Sequence, residues 1–160
     1  MSICKPSESP ACCFSSQLPF DAQASGAAAV FCSDGRFAGQ INDFLQNGLG
    51  LYGYDRLVLA GGPACFAGHF AAYREEEGAI SHLKFLARLH GLTRLILISH
   101  EDCGFYRDFL RIREMDLLDR MRLDLTRATL RASVAAPQLK VEAYLARLSD
   151  AEVWFEKVIA

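Results

Sequence analysis

Short, continuous apolar runs that stop at polar or glycine-rich segments constrain the fold more than any other feature of the sequence. Three of them, with a longer and partly alternating fourth, span residues 27–31, 56–60, 93–99 and 139–148. A strand that is apolar along its whole length is buried on both faces, which is typical of parallel sheets covered by helices. Helical periodicity lies between the runs, at residues 80–90 and 112–125. The sequence therefore predicts an α/β fold, with a mostly parallel central sheet flanked by helices on both faces.

The length of 160 residues, 51% of them hydrophobic, is enough for one domain with a substantial core. Residues 1–24 are rich in Ser, Pro and small residues, and we expect a poorly ordered arm there, followed by a single α/β domain over 25–160. Segment 150–158 is predicted to be a terminal helix or an edge strand. The helix near residue 120 places Asp116 and Arg120 for an i,i+4 ion pair on its outer side.

Charge, hydropathy and cysteine content exclude several classes of protein. A formal net charge of -2 argues against a nucleic-acid binder held by bulk electrostatics. The apolar runs are far too short to span a membrane, and the first residues lack the apolar run of a secretory signal. Six cysteines are too few for a disulfide scaffold of this length, so we expect a reduced, cytoplasmic protein. Cys4, Cys12 and Cys13 lie in the arm without a partner at metal-ligand spacing and are predicted to be incidental thiols.

Two segments carry misleading patterns. Residues 48–53 match GxGxxG, but a dinucleotide-binding turn needs a strand before it and a helix after it. Here a helical stretch precedes the segment and a strand follows, so a phosphate would find no helix N-terminus and we interpret the segment as a loop. Residues 74–77, Arg-Glu-Glu-Glu, are interpreted as the solvated start of a helix.

Polar and metal-ligating residues follow two of the predicted strands. Cys32, Asp34 and Arg36 come directly after the first, at alternate positions that share one face of an extended chain, so Asp34 and Arg36 can pair. His100 and Cys103 follow the third run, and their i, i+3 spacing lets both bind one metal within a single turn. Because parallel strands end at the same edge of a sheet, Cys32 should meet His100 and Cys103 there.

Two thiolates and one imidazole form a zinc combination that leaves a fourth position open to water or substrate. Their softness favours zinc over magnesium or calcium. Cys65 follows the second strand and is either a core thiol or a fourth ligand that would close the site. The open, catalytic arrangement is favoured, and the alternative is a plain α/β domain in which Cys32 and Cys103 are core thiols.

Both motifs resemble those of the beta-class carbonic anhydrases. That family carries Cys-x-Asp-x-Arg after its first strand and His-x-x-Cys-Gly after a later one, and residues 32–36 and 100–104 match both patterns. Residues 81–103 are similar to the family's helix and strand leading to the His motif, and residues 139–158 to the strand and hairpin near its end. The resemblance covers most of the chain from residue 27 onwards.

The resemblance implies a reversible hydration of carbon dioxide to bicarbonate through a zinc-bound hydroxide, with Zn²⁺ held by Cys32, His100 and Cys103. Asp34 and Arg36 would be the catalytic residues. Asp34 would accept a hydrogen bond from the zinc-bound water or, in a closed state, become the fourth ligand, and Arg36 would hold it off the metal in the open state. The family is built on dimers, so a homodimer or higher homo-oligomer is expected. Because two thiolates neutralise the zinc charge, activity should rise on the alkaline side of neutrality.

The sequence departs from the family pattern around the pocket. An Arg-Asn-Ala-Gly-like turn after the second strand is replaced by Leu-Ala-Gly-Gly-Pro at residues 59–63. Ser99 stands where a Gly usually precedes the metal-binding His, and Lys84 replaces a Glu or Gln. Two other functions therefore stay open: a zinc hydrolase of carbon disulfide or carbonyl sulfide on the same fold, and a non-catalytic zinc-binding relative. Candidates for a proton shuttle, by residue type alone, are His69, His82 and His90.

Overall fold

A five-stranded sheet in the order β2-β1-β3-β4-β5 forms the centre of the fold in the computed structural model, which describes residues 16–23 and 26–159. Its strands are β1 (Ala27–Cys32), β2 (Asp55–Leu59), β3 (Arg94–His100), β4 (Lys140–Ser149) and β5 (Glu152–Ile159). The first four are parallel, whereas β5 runs antiparallel to β4 as an edge strand. The predicted mostly parallel sheet is confirmed, and of the two alternatives for segment 150–158 the edge strand is correct.

Helices cover both faces of this sheet, as predicted. One face packs against α2 (Tyr73–Leu89), α3 (Leu117–Ala135) and the 3₁₀ segment Gly62–Phe66. The other face packs against α1 (Ala38–Asp43), which continues into a π-helical turn, Phe44–Gly48. None of the helices in the described ranges is both long enough and apolar enough to cross a bilayer.

Burial on both faces explains why β1 and β3 are continuous apolar runs. Ala28 and Val30 of β1 face the core beneath α2 and α3, whereas Ala29 and Phe31 face α1. Full burial of a branched aliphatic side chain contributes about 1.5–3 kcal/mol to the stability of the fold. Side chains buried on both faces therefore stabilise each strand in the interior. Phe31 pairs with Ile98, and both strands therefore end at the same edge.

Residues 48–53 connect the π-helical turn to β2, and no helix follows them before that strand, so the loop interpretation is confirmed. Of the predicted arm, residues 16–23 contain no helix or strand. Cys4, Cys12 and Cys13 lie outside the described residues.

Of two predictions about charged side chains, one holds in part and one is wrong. Residues 74–77 lie at the start of α2 and are exposed as interpreted, except that Glu76 is buried and forms an ion pair with Arg131 of α3. The pair between Asp116 and Arg120 does not form. Asp116 instead accepts a hydrogen bond from Arg113 Nε at 2.8 Å, across the turn before α3, and Arg120 lies 3.7 Å from a fully buried carboxylate, that of Asp124.

Candidate metal centre

The carboxyl edge of the sheet brings three predicted ligands together. Cys32 is the last residue of β1, His100 is the last residue of β3, and Cys103 lies in the turn that follows. One ligand atom from each side chain lies within 4.8 Å of the other two, and all three residues are buried. The two Sγ atoms are 3.8 Å apart. This group, called the Cys/His/Cys cluster below, could hold a metal ion.

The imidazole of His100 is oriented as a metal ligand requires. Its Nδ1 lies 2.8 Å from the carbonyl oxygen of Glu101, and because a carbonyl only accepts, Nδ1 carries the proton. Nε2 is then a lone-pair donor, and within the described ranges it is buried without a hydrogen-bond partner. A buried polar atom left in this way is costly, and a metal ion at the cluster would satisfy it. Phe37 packs against the ring at a centroid distance of 4.2 Å and fixes its plane.

A hydrogen bond joins the two thiols of the cluster. A hydrogen bond from Cys103 lowers the pKa of Cys32 to about 4 and outweighs the opposite effect of burial. The same hydrogen bond, together with burial, raises the pKa of Cys103 above its usual range. A divalent cation bound there would replace the proton of this hydrogen bond, as metal binding to thiols requires. The donor set of two sulfurs and one nitrogen fits zinc.

Cys65 lies outside the Cys/His/Cys cluster. It is buried in the core beneath α2 and α3, and its thiol donates to the carbonyl of Ala60 at 3.3 Å. Burial raises the pKa of Cys65 to about 11, so it stays a neutral thiol. Of the two roles considered for it, the structure places it as a core thiol.

The Gly61–Gly62 turn, which replaces the family's polar turn, lies directly against Cys32. The backbone N–H of Gly61 donates to Cys32 Sγ at 3.3 Å. Gly62 has a φ of 52°, and a Cβ atom there would lie 2.7 Å from the backbone nitrogen of Cys32. Sequence reasoning associated this turn with the substrate pocket and missed its contact with Cys32, a candidate metal ligand. The pair of glycines after a strand was the available signal.

Asp34 and Arg36 form the expected pair, but by a different local structure. Asp34 caps a 3₁₀ turn, Gly35–Phe37, by accepting from the backbone N–H of Arg36 at 3.0 Å. The guanidinium then folds back onto the carboxylate, with NH2 2.6 Å from Oδ2. This hydrogen bonding from Arg36 lowers the pKa of Asp34 to about 2. The carboxylate is therefore anionic throughout the neutral range, and it lies outside the Cys/His/Cys cluster.

Charged residues between the ligands anchor the turn that carries Cys103. Oε2 of Glu101 accepts from the backbone N–H of Leu148 at 2.8 Å and from Nε of Arg147 at 3.1 Å, which ties the turn to β4. Asp102 contacts two arginines: Arg36, from the turn after β1, and Arg107, five residues further along the chain. Sequence reasoning singled out none of these anchors, although two acidic residues between His and Cys were visible.

The candidate shuttle histidines are placed in three different ways. His69 lies 2.6 Å from the buried carboxylate of Asp124, and His82 is exposed on α2. His90 lies 2.7 Å from Asp55, the first residue of β2. Because β2 is parallel to β1, its first residue lies at the opposite end of the strands from the Cys/His/Cys cluster. This position of His90 argues against it as a proton shuttle.

Comparison with known proteins shows the fold. No family model and no curated protein matches the sequence. The structure is similar to that of beta-carbonic anhydrase isoform I from Trichomonas vaginalis, with a TM-score of 0.59 and 14% identity over 91% of this chain and 88% of that one. A carbonic anhydrase from Streptococcus mutans matches with a TM-score of 0.49 and 15% identity, over 91% and 87%. A carbon disulfide hydrolase matches with a TM-score of 0.44 and 14% identity, over 78% and 75%. The chain thus has the beta-carbonic-anhydrase fold, as its motifs predicted.

Proposed function

We propose that this chain is a zinc-dependent lyase that converts carbon dioxide reversibly to bicarbonate, with zinc held by Cys32, His100 and Cys103. The observation that carries the proposal is the buried Cys/His/Cys cluster, in which Nε2 of His100 has no hydrogen-bond partner within the described part of the chain. The Asp34–Arg36 pair next to the cluster, and the fold itself, support the same function.

Zinc bound at the cluster would supply a nucleophile near neutral pH by lowering the pKa of water. The chain's own residues would do the rest. Asp34, anionic and adjacent to the cluster, would accept a hydrogen bond from a water molecule bound at the cluster and so orient it. Arg36 keeps that carboxylate ionised, and the carbonyl of Glu101 fixes the tautomer of His100. Phe37 holds the imidazole plane.

A second candidate is a zinc-binding relative without catalytic activity. It is favoured by residues 59–63, which have no polar side chain where the family carries Arg and Asn. Carbon disulfide and carbonyl sulfide are isoelectronic with carbon dioxide, so a hydrolase acting on them would use the same cluster. The three functions differ in what a zinc-loaded sample does with each substrate.

Stopped-flow measurement of carbon dioxide hydration on zinc-loaded protein tests the proposal. We expect one zinc per chain and a rate well above that of the buffer, and carbon disulfide and carbonyl sulfide serve as parallel substrates. Asp34→Asn should keep its zinc and lose about 10–100-fold in rate, the usual cost of removing a hydrogen-bonding partner of a metal site. Asp43→Asn, at an exposed position of α1, should match the unmodified protein. One zinc per chain without any turnover would favour the non-catalytic relative, and turnover of the sulfur compounds alone would favour the hydrolase.

We also propose that the protein acts in the cytoplasm as a homodimer or higher homo-oligomer. Within the described residues, β2 and β5 have no neighbouring strand on their outer sides, where Val58 and Trp154 are exposed. Light scattering coupled to gel filtration should give at least twice the chain mass of 17.7 kDa. A single-chain mass at micromolar concentration would contradict the oligomer.

A further inference from the structure

We propose that Asp102 and Arg107 are positioning residues that hold the Arg36 guanidinium in place, and thereby keep the Asp34 carboxylate from entering the metal's fourth position. This inference rests on the proposed metal site. It concerns a continuous chain of charged contacts, Asp34–Arg36–Asp102–Arg107, called the clamp below.

Asp102 is the centre of the clamp and lies between two of the cluster residues in sequence. Its Oδ2 accepts from NH1 of Arg36 at 2.9 Å, and its Oδ1 accepts from NH1 of Arg107 at 2.7 Å. Its backbone carbonyl also accepts from NH2 of Arg36 at 3.2 Å. Asp102 has a φ of 55°, in the left-handed region that Asp adopts more readily than most residues. In this conformation both its carbonyl and its carboxylate contact the Arg36 guanidinium.

Arg36 needs such an anchor because its side chain is 60% exposed. An exposed ion pair between two flexible side chains contributes little by itself, since solvent screens it and ordering both side chains costs entropy. With Asp102, the guanidinium has carboxylates on two sides, and one of them belongs to the turn that carries Cys103. Arg107 restrains Asp102 in turn.

The position of Arg36 matters because its partner Asp34 lies close to the Cys/His/Cys cluster. Asp34 lies two residues after Cys32, and its backbone N–H is near enough to help lower the pKa of that thiol. Carboxylates are zinc ligands, so a cation at the cluster attracts the Asp34 carboxylate toward its open position. Arg36 opposes that movement by occupying both carboxylate oxygens. Any change that frees Arg36 should therefore let Asp34 compete with exogenous ligands.

Thiocyanate titration of the Co²⁺-loaded full-length protein, followed by visible absorption, measures this competition directly. We expect Asp102→Asn to weaken thiocyanate binding by about 10-fold, which requires that Asp34 then occupies the open position for about nine-tenths of the time. Arg107→Ala leaves the contacts between Asp102 and Arg36 and should weaken binding by about 2–5-fold in the same direction. It carries the test if Asp102→Asn does not fold. In an Asp34→Asn background, Asp102→Asn should have no effect beyond twofold, since the competitor is gone.

Asp116→Asn is the matched control. Asp116 is a half-exposed carboxylate 2.8 Å from an arginine, as Asp102 is 2.9 Å from Arg36, but its partner is Arg113 in the turn before α3. Its variant should bind thiocyanate as the unmodified protein does. An equal loss in Asp116→Asn would assign the effect to the loss of any surface carboxylate rather than to the clamp and overturn the proposal. So would unchanged affinity in both clamp variants, or a loss that persists without Asp34.

The same samples separate this inference from the proposed function. A chain that takes up no Co²⁺ overturns the metal site and the clamp together. A chain that binds Co²⁺ and shows the expected thiocyanate pattern, but does not hydrate carbon dioxide when loaded with zinc, overturns only the proposed activity. A zinc-loaded enzyme with full activity whose clamp variants bind thiocyanate normally in the Co²⁺ form overturns the clamp alone.

Discussion

Replacing Cys103 with alanine is expected to abolish stoichiometric zinc binding and to reduce carbon dioxide hydration to the rate of the buffer. The variant leaves only Cys32 and His100 as donors, and two ligands cannot complete a tetrahedral site. Changes beyond the ligand shell already cost 10–100-fold in metal affinity, so loss of a thiolate should cost more than about 100-fold. Zinc content after dialysis, measured by atomic absorption, and stopped-flow hydration check both parts of the prediction.

Cys65→Ala is the matched control for that variant. Cys65 and Cys103 are each 2% exposed and belong to the same core cluster, so truncating either removes a buried sulfur from similar surroundings. Only Cys103 contributes to the Cys/His/Cys cluster. Cys65→Ala should therefore keep one zinc per chain and full activity, although we expect it to lose a little thermal stability. Equal zinc binding by both variants would remove Cys103 from the ligand set.

The convergence of Cys32, His100 and Cys103 was predictable in part from strand patterning. Continuous apolar runs identify parallel strands, parallel strands end on the same side of the sheet, and residues directly after the ends of neighbouring strands come close together. That β1 and β3 are neighbours is a long-range pairing that the pattern does not specify. The pairing of Phe31 with Ile98 is the detail of register that completes this arrangement.

Contacts made by distant side chains could not be predicted in this way. Glu76 belongs to a run of charges that is typical of solvated helix starts, and its partner Arg131 is on another helix. Glu101 is anchored by residues of β4, and Asp102 by Arg36 from the turn after β1. Local spacing does not specify such partners, because they depend on how the helices and turns pack on the sheet.

The local structure of the Asp34–Arg36 pair could not be predicted from the residue spacing either. Alternate spacing predicted an extended chain with both side chains on one face, whereas the residues form a 3₁₀ turn capped by Asp34. An Asp that can accept the N–H two residues later favours a turn over an extended strand end. The pair itself forms in both geometries, which is why the residues were correctly singled out and their backbone was not.

Gly62→Ala is expected to destabilise the fold by about 3 kcal/mol or more, because φ is positive at this position and the added methyl group would overlap the backbone. Its Cβ would lie 2.7 Å from both the Cys32 nitrogen and the Phe31 carbonyl carbon, and neither can move without displacing β1. For a chain of this size, that loss lowers Tm by about 6–12 °C. Zinc affinity should fall as well, since β1 ends at Cys32. Thermal unfolding with and without zinc measures both effects.

Gly39→Ala in α1 provides the control of opposite sign. No heavy atom lies within 4 Å of a Cβ atom placed there, and in helices alanine is favoured over glycine by about 0.5–1 kcal/mol. This variant should therefore be as stable as the unmodified protein or slightly more so, with unchanged zinc affinity. If Gly62→Ala were equally stable and bound zinc equally well, the close approach of the Gly61–Gly62 turn to Cys32 would be wrong. The expected contrast would show that the backbone of the Gly61–Gly62 turn packs directly against Cys32.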